Sequence, residues 1–130
     1  MYKHVTRKIL FSLLLAVSVI TGAQAEGVFA IAADGDKLSS EIVKLAGIAP
    51  YFHIYDSDGG LMRVLPNPHL KLEFGTGPAA AASLADMGVT VLVARKVPGP
   101  KMEKVLVERN VRIVRRIGTV DDVVKELRGE

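Results

Sequence analysis

The sequence predicts a single-domain α/β fold in which helices flank a mixed five-stranded sheet, in the order β-α-β-β-α-β-α-β-α. First, short apolar runs rich in β-branched residues alternate with helix-like segments, an arrangement typical of parallel crossovers. Second, two β-rich runs are separated only by a glycine-containing turn, which predicts one antiparallel hairpin. Third, 130 residues suffice for one domain with its own core.

The first half of the domain is predicted to hold three strands and a short helix. Residues 28–33 (VFAIAA) lack polar alternation, as does a strand covered on both faces. The serines at 39–40 are suited to cap a short helix that ends near Gly47. Residues 51–56 (YFHIYD) and 61–65 (LMRVL) then form the hairpin.

The second half is predicted to alternate helix and strand. A helix begins at Gly77-Pro78, because proline is favoured in a first helical turn, and it ends at Gly88. The remaining elements are a strand at 89–94, a helix at 101–109, a strand at 111–114 and a helix at 120–127 that Thr119 caps.

The first 25 residues are predicted to be a signal peptide. Three basic residues precede an uncharged apolar core at 9–20 (ILFSLLLAVSVI), and Ala23-Gln24-Ala25 matches a signal-peptidase site. The apolar core is shorter than the about 20 residues that a membrane-spanning helix needs. The mature domain is therefore predicted to comprise residues 26–130 and to be periplasmic or secreted. An uncleaved segment is the alternative, and it is the only membrane attachment predicted.

Charge and cysteine content exclude several kinds of site. Residues 1–25 contain three of the 17 Lys and Arg residues, so 14 remain, and these equal the 14 Asp and Glu residues. A neutral exported domain is not predicted to bind nucleic acid, and its late basic residues alternate with acids as on a salt-bridged surface. Because the chain has no cysteine, it forms neither disulfides nor thiolate metal sites.

Residues 74–88 (FGTGPAAAASLADMG) contain the candidate ligand-binding loop. Gly75, Thr76 and Gly77 open a G-x-G-x-x-A pattern, but a dinucleotide fingerprint follows the first strand directly, whereas this loop follows the hairpin. Arg95 stands where that fingerprint expects an acid. These two differences argue against a dinucleotide site. The loop still precedes a helix start, whose free N–H groups suit an anionic ligand. An ordinary helix start without a ligand fits the same residues.

Two histidines remain in the mature chain, and they receive different interpretations. His69 is the candidate metal ligand, because its loop directly precedes the glycine-containing helix start. An exposed loop histidine without a role is the alternative. His53 alternates with Tyr51 and Tyr55 along its strand, which favours a structural histidine packed beneath a helix.

Carboxylates at predicted strand ends support a further hypothesis, a metal-dependent enzyme. Converging carboxylates can hold a divalent metal ion, as in nucleases. The residues concerned are Asp34, Asp36, Asp56 and Asp58. Asp beside Gly also forms turns, and this interpretation is favoured over a metal site.

Several segments together resemble the dinitrogenase iron–molybdenum cofactor biosynthesis family, the NifX/NafY-like domains. The similarity extends over residues 28–127. It is carried by AIAADGDKLSS, APYFHIYDSDGG, NPH, GTGPAAAASLADMGVTVLVA and VPGPKMEKVLVERNVRIVRRIGTVDDVV. The resemblance implies a ribonuclease-H-like motif used for binding, not for nuclease chemistry. It also implies an iron–sulfur or iron–molybdenum cluster as ligand.

One departure from the family concerns the residues before Ala49-Pro50-Tyr51-Phe52. Family members commonly carry a His-Phe-Gly-Arg stretch there, whereas this chain has Leu45, Ala46, Gly47 and Ile48. A ligand and an anion-pairing arginine are therefore both absent from these positions.

The resulting prediction is a non-enzymatic exported domain that binds a metal cluster or another anionic small ligand. His69, Gly75, Thr76, Gly77 and Arg95 are its predicted cofactor-binding residues, and His69 is its predicted metal ligand. The alternative is a protein-interaction or sensory module that kept the fold, lost the cofactor and binds a protein partner.

Overall fold

The computed structural model describes residues 27–130. The predicted signal peptide, residues 1–25, lies outside the described residues. These described residues form five strands and three α-helices, together with a 3-10 helix at Ala46–Ile48. They are β1 (Val28–Ala33), β2 (Tyr51–Asp56), β3 (Leu61–Pro66), α1 (Thr76–Asp86), β4 (Val91–Ala94), α2 (Pro100–Glu108), β5 (Arg112–Arg115) and α3 (Val120–Arg128).

The strands form one sheet in the order β3-β2-β1-β4-β5. Strand β2 is antiparallel to both β1 and β3, whereas β1 pairs with β4 and β4 with β5 in parallel. The predicted α/β class, the five-stranded mixed sheet and the single hairpin are confirmed.

Helices cover both faces of the sheet. Helices α1 and α2 pack on one face, where Leu84 and Leu106 join Phe52 and Leu92 in a buried cluster. Helix α3 packs on the other face, in a second cluster with the opposite side chains of β1 and β4. Burial of β1 on both faces explains its unbroken apolar sequence.

The prediction of a helix between residues 39 and 47 was wrong. The segment runs along the end of the sheet, where the backbone N–H groups of Ile42 and Val43 donate to the carbonyls of Gly118 and Ala32 at 2.9 and 3.0 Å. Ile42 also forms an isolated antiparallel bridge with Ala33 and is 1% exposed. These long-range hydrogen bonds replace the local ones of a helix.

The loops at 34–50, 67–75, 95–99 and 116–119 lie at one edge of the sheet. Strands β1, β3, β4 and β5 run in the same direction and end there, while β2 starts there. All three α-helices begin at this edge. Open α/β sheets bind ligands beyond the carboxyl ends of their parallel strands, so this edge is the place to look for a site.

The N-terminus of α3 confirms the cap predicted at Thr119. The Thr119 hydroxyl accepts a hydrogen bond from the backbone N–H of Asp122 at 3.3 Å, and the Asp122 carboxylate accepts one from the N–H of Thr119 at 2.9 Å. The hydrogen bond from the Thr119 backbone lowers the pKa of Asp122. This reciprocal pair fixes the point at which the chain leaves the loop and enters the helix.

Two of the basic residues in the C-terminal part of the chain form ion pairs with acidic side chains. Arg109 pairs with Asp86 at 2.6 Å, and the Arg116 guanidinium donates to both carboxylate oxygens of Glu126 at 2.7 and 3.0 Å.

Within residues 27–130, no helix has the length and apolar character needed to cross a membrane.

Candidate binding cleft at the loop edge

A cleft of about 460 Å³ opens at the loop edge of the sheet. It lies between the 3-10 helix, the first turn of α1 and the segment that enters α2. Its walls are mostly apolar and rich in glycine and proline. The lining residues are Leu45, Ala46, Gly47, Ile48, Gly77, Pro78, Pro98, Gly99, Pro100, Lys101 and Met102.

Two glycines allow the walls of the cleft to approach each other. A Cβ atom on Gly47 would lie 2.8 Å from the Cα atom of Gly77, closer than atoms of this kind pack. A Cβ atom on Gly77 would lie 3.1 Å from the Cβ atom of Met102. Gly77 therefore brings α1 against the 3-10 helix and α2. Gly75 has a different role, since it is the N-cap of α1 with φ 77°, a left-handed conformation that favours glycine.

Two helix N-termini and one lysine lie beside the cleft. Helices α1 and α2 both begin beside it, and each helix start carries first-turn N–H groups without an intrahelical acceptor and a partial positive charge. Pro78 and Pro100 contribute no N–H group, so Thr76, Gly77 and Lys101 are among the remaining donors. Among residues 27–130, the lining includes Lys101 and neither acidic residues nor histidine.

Asn67 connects the loop after β3 to the floor of the cleft. It is 6% exposed, and its amide nitrogen donates to the carbonyls of Ala49 at 3.0 Å and Gly47 at 3.3 Å. Its side-chain oxygen accepts a hydrogen bond from the His69 N–H at 3.0 Å. Sequence reasoning missed this residue, although its position between Pro66 and Pro68 indicates a fixed backbone.

The predicted site residues do not all meet at the cleft. Gly77 lines it, and Gly75 and Thr76 directly precede that wall. His69 is half-buried, and its Nε2 atom lies 2.8 Å from the Ser83 hydroxyl. Ser83 is two turns beyond the start of α1, or about 10 Å along the helix. His69 is therefore not among the lining residues.

Arg95 follows β4 and is half-buried. Its backbone N–H donates to the Val43 carbonyl at 2.9 Å, and this hydrogen bond holds the start of the loop against the segment that leads to the 3-10 helix. Arg95 does not line the cleft. Two lining residues were not predicted as site residues from the sequence. They are Lys101 and Gly47, and Gly47 was placed at the end of a helix.

The carboxylates proposed to converge on a metal ion lie at opposite edges of the sheet. Asp56 pairs with Val28 at the start of β1, whereas Asp34 follows the end of that strand. Six residues of extended chain separate these positions by about 20 Å. Asp56 instead accepts hydrogen bonds from the N–H groups of Asp58 and Gly60, both at 2.9 Å, as a turn residue does. The hypothesis that these carboxylates converge on a metal ion was wrong, because β1 and β2 are antiparallel. The favoured interpretation, in which these Asp residues form turns, is confirmed for Asp56.

His53 is a buried structural residue, as its alternation predicted. It is 1% exposed, and its Nε2 atom lies 2.8 Å from the carbonyl oxygen of Gly35. Within residues 27–130, no three His, Cys, Asp or Glu side chains are grouped so that they could hold a metal ion.

The model of the family described as dinitrogenase iron-molybdenum cofactor matches residues 27–130. The chain belongs to this family. The family similarity stated from the sequence is thereby confirmed, and the match extends through the cleft and all five strands. Leu45 and Ile48, at which the sequence analysis placed a departure from the family pattern, line the cleft.

The solved structures that are similar to this chain include two with identities above 25%. The apo form of the orange protein from Desulfovibrio gigas is 27% identical, with a TM-score of 0.70 over 80% of this chain and 89% of that protein. A putative NifB protein from Thermotoga is 32% identical, with a TM-score of 0.63 over 76% of this chain and 84% of that protein. No curated protein matches the chain.

Proposed function

We propose that this protein is a non-enzymatic carrier domain that binds a preassembled anionic metal cluster as cargo in the cleft at the loop edge. The observation that carries this proposal is the meeting of two helix N-termini and Lys101 in one cleft of about 460 Å³. Small-molecule sites have volumes of about 300–1,000 Å³. Membership of the iron–molybdenum cofactor family supports a cluster as the anion.

The lining residues suit a complete cluster better than separate metal ions. Iron ions require His, Cys or carboxylate ligands, and among residues 27–130 no such side chain lines the cleft. A preassembled cluster brings its own sulfide ligands and negative charge. First-turn N–H groups and the Lys101 ammonium group can bind that charge, while Leu45 and Ile48 exclude water around it. The Met102 thioether is the one soft donor in the lining.

We further propose that residues 1–25 direct export of the domain to the periplasm. The support is the sequence of a basic start, an apolar core and Ala23-Gln24-Ala25. N-terminal sequencing of the exported protein should find Glu26 as the first residue. A protein that retains Met1 would contradict cleavage.

An anaerobic titration tests the cluster proposal. The full chain is titrated with isolated iron–molybdenum cofactor, and separately with a [4Fe–4S] cluster, while absorbance is followed. We expect saturable binding that Lys101→Glu weakens roughly tenfold or more, equivalent to about 1.4 kcal/mol. Lys104→Glu is the matched control, because Lys104 is exposed on the same helix but does not line the cleft.

The same titration with His69→Ala separates the cleft from the His69 loop. Weakening by His69→Ala alone would place the cluster at the loop and contradict the cleft site. No saturable binding by the wild-type chain would overturn the carrier proposal. The alternative is then a protein-interaction or sensory module, which is supported by the apolar Leu45 and Ile48 where family members commonly carry His and Arg.

A further inference from the structure

The three segments that contain the lining residues of the cleft carry an unusual share of the exposed large hydrophobic residues. We define these segments, residues 43–48, 67–78 and 95–102, as the cleft rim. Residues 27–130 contain eleven exposed large hydrophobic residues. The rim has only 26 of these 104 residues, but it has six of the eleven. The six are Leu45, Ile48, Leu70, Leu72, Phe74 and Val97.

The exposed side chains lie on separate loops and are not confined to the cleft. Only Leu45 and Ile48 line it, whereas Leu70, Leu72 and Phe74 belong to the loop before α1 and Val97 to the loop before α2. Phe74 is 84% exposed. A protein interface needs matched packing around such residues, whereas a bilayer interface accepts dispersed apolar side chains without a matched shape.

Charge on the rim indicates an anionic surface as the occupant. The rim has five basic residues and one acidic residue, Glu73, for a net charge of +4. The rest of residues 27–130 has nine basic and twelve acidic residues, for a net charge of −3. The five basic residues are Lys44, Lys71, Arg95, Lys96 and Lys101. The positive charge therefore lies on the same three segments as the exposed apolar side chains.

Lysines beside exposed leucine and phenylalanine are typical of peripheral membrane contact. Their aliphatic stems can lie along apolar surface while the ammonium groups reach lipid phosphates. Aromatic side chains favour the headgroup level, and anionic lipids attract clustered basic residues. We propose that the cleft rim docks reversibly on an anionic lipid bilayer, with Phe74 and its neighbouring leucines inserted at the interface and the lysines contacting lipid phosphates.

This docking does not depend on the cluster proposal, because the exposed leucines and Phe74 of the loop before α1 lie outside the cleft lining. It would direct the mouth of the cleft toward the membrane. Adsorption of residues 1–25 to the vesicles is a separate contact, so the reporter is placed on the rim itself. The chain contains no tryptophan, so a single introduced tryptophan reports on its own position.

The test uses two full-length variants, Phe74→Trp and Val107→Trp. Val107 is 63% exposed on α2, seven residues and about 10 Å beyond the start of that helix. Both variants keep residues 1–25, so adsorption through that segment affects both alike. Each is mixed with vesicles of phosphatidylcholine alone or with added phosphatidylglycerol, and emission and quenching by brominated lipid are recorded.

We expect a blue shift and quenching for Phe74→Trp with phosphatidylglycerol vesicles only, and neither change for Val107→Trp. Adding Lys96→Glu to the Phe74→Trp chain should weaken the vesicle association of the reporter roughly tenfold or more. Unchanged Phe74→Trp emission with anionic vesicles would overturn the proposal. Equal responses of the two tryptophans, or equal responses to both vesicle types, would also overturn it. Thermal unfolding of both variants confirms that each is folded.

Discussion

Gly47→Ser is expected to lower the free energy of unfolding by about 1–3 kcal/mol, the usual cost of overpacking. The introduced Cβ atom would lie 2.8 Å from the Cα atom of Gly77, and backbone cannot rotate away as a side chain can. The first turn of α1 must therefore move away from the 3-10 helix. This movement separates two walls of the cleft, so cluster binding should weaken as well. Urea unfolding followed by circular dichroism measures the first effect.

The matched control is Gly99→Ser, the same substitution elsewhere in the cleft lining. Within residues 27–130, no atom outside its chain neighbours lies within 4 Å of the position that a Cβ on Gly99 would take. The φ of −60° at Gly99 suits any residue. Serine is also a favourable N-cap for α2. We expect a change in unfolding free energy of less than about 0.5 kcal/mol. Equal destabilisation by the two substitutions would show that Gly47 has no special packing role.

Asn67→Ala is expected to destabilise the protein by about 1–3 kcal/mol. The substitution removes the donor that serves the carbonyls of Gly47 and Ala49, and buried acceptors without partners are costly. It also removes the acceptor for the His69 N–H, so the loop after β3 loses its attachment to the cleft floor. Chemical denaturation measures the stability, and hydrogen exchange of the His69 amide reports the local loosening.

Ser83→Ala provides the comparison, because it removes the hydrogen bond to His69 Nε2 and leaves Asn67 intact. Alanine is the better helix former at this position of α1, which offsets part of the loss. We therefore expect Ser83→Ala to change stability by less than about 1 kcal/mol. If the two substitutions lowered the free energy of unfolding equally, the loop would depend on the His69–Ser83 contact as much as on Asn67.

The sequence located the start of α1 well but could not place His69 relative to it. The start of α1 was predictable, since a proline in a first turn and an alanine-rich run are local signals. Its neighbour across the cleft, Gly47, was assigned to the end of a helix, because nothing local shows a backbone contact with Gly77. The position of His69 depends on the turn that Asn67 holds, and that turn depends on the carbonyls of a distant segment.

The sequence by itself determined the strands and the three α-helices of this protein, and its family. Each depends on local or periodic features: apolar runs for β1 and β4, a glycine-containing turn between β2 and β3, and Thr119 at the start of α3. Only the tertiary structure decided the path of residues 39–47, the partners of the strand-end carboxylates and the composition of the cleft. These features depend on hydrogen bonds and close backbone contacts between residues far apart in the chain, which leave no periodic signal along it.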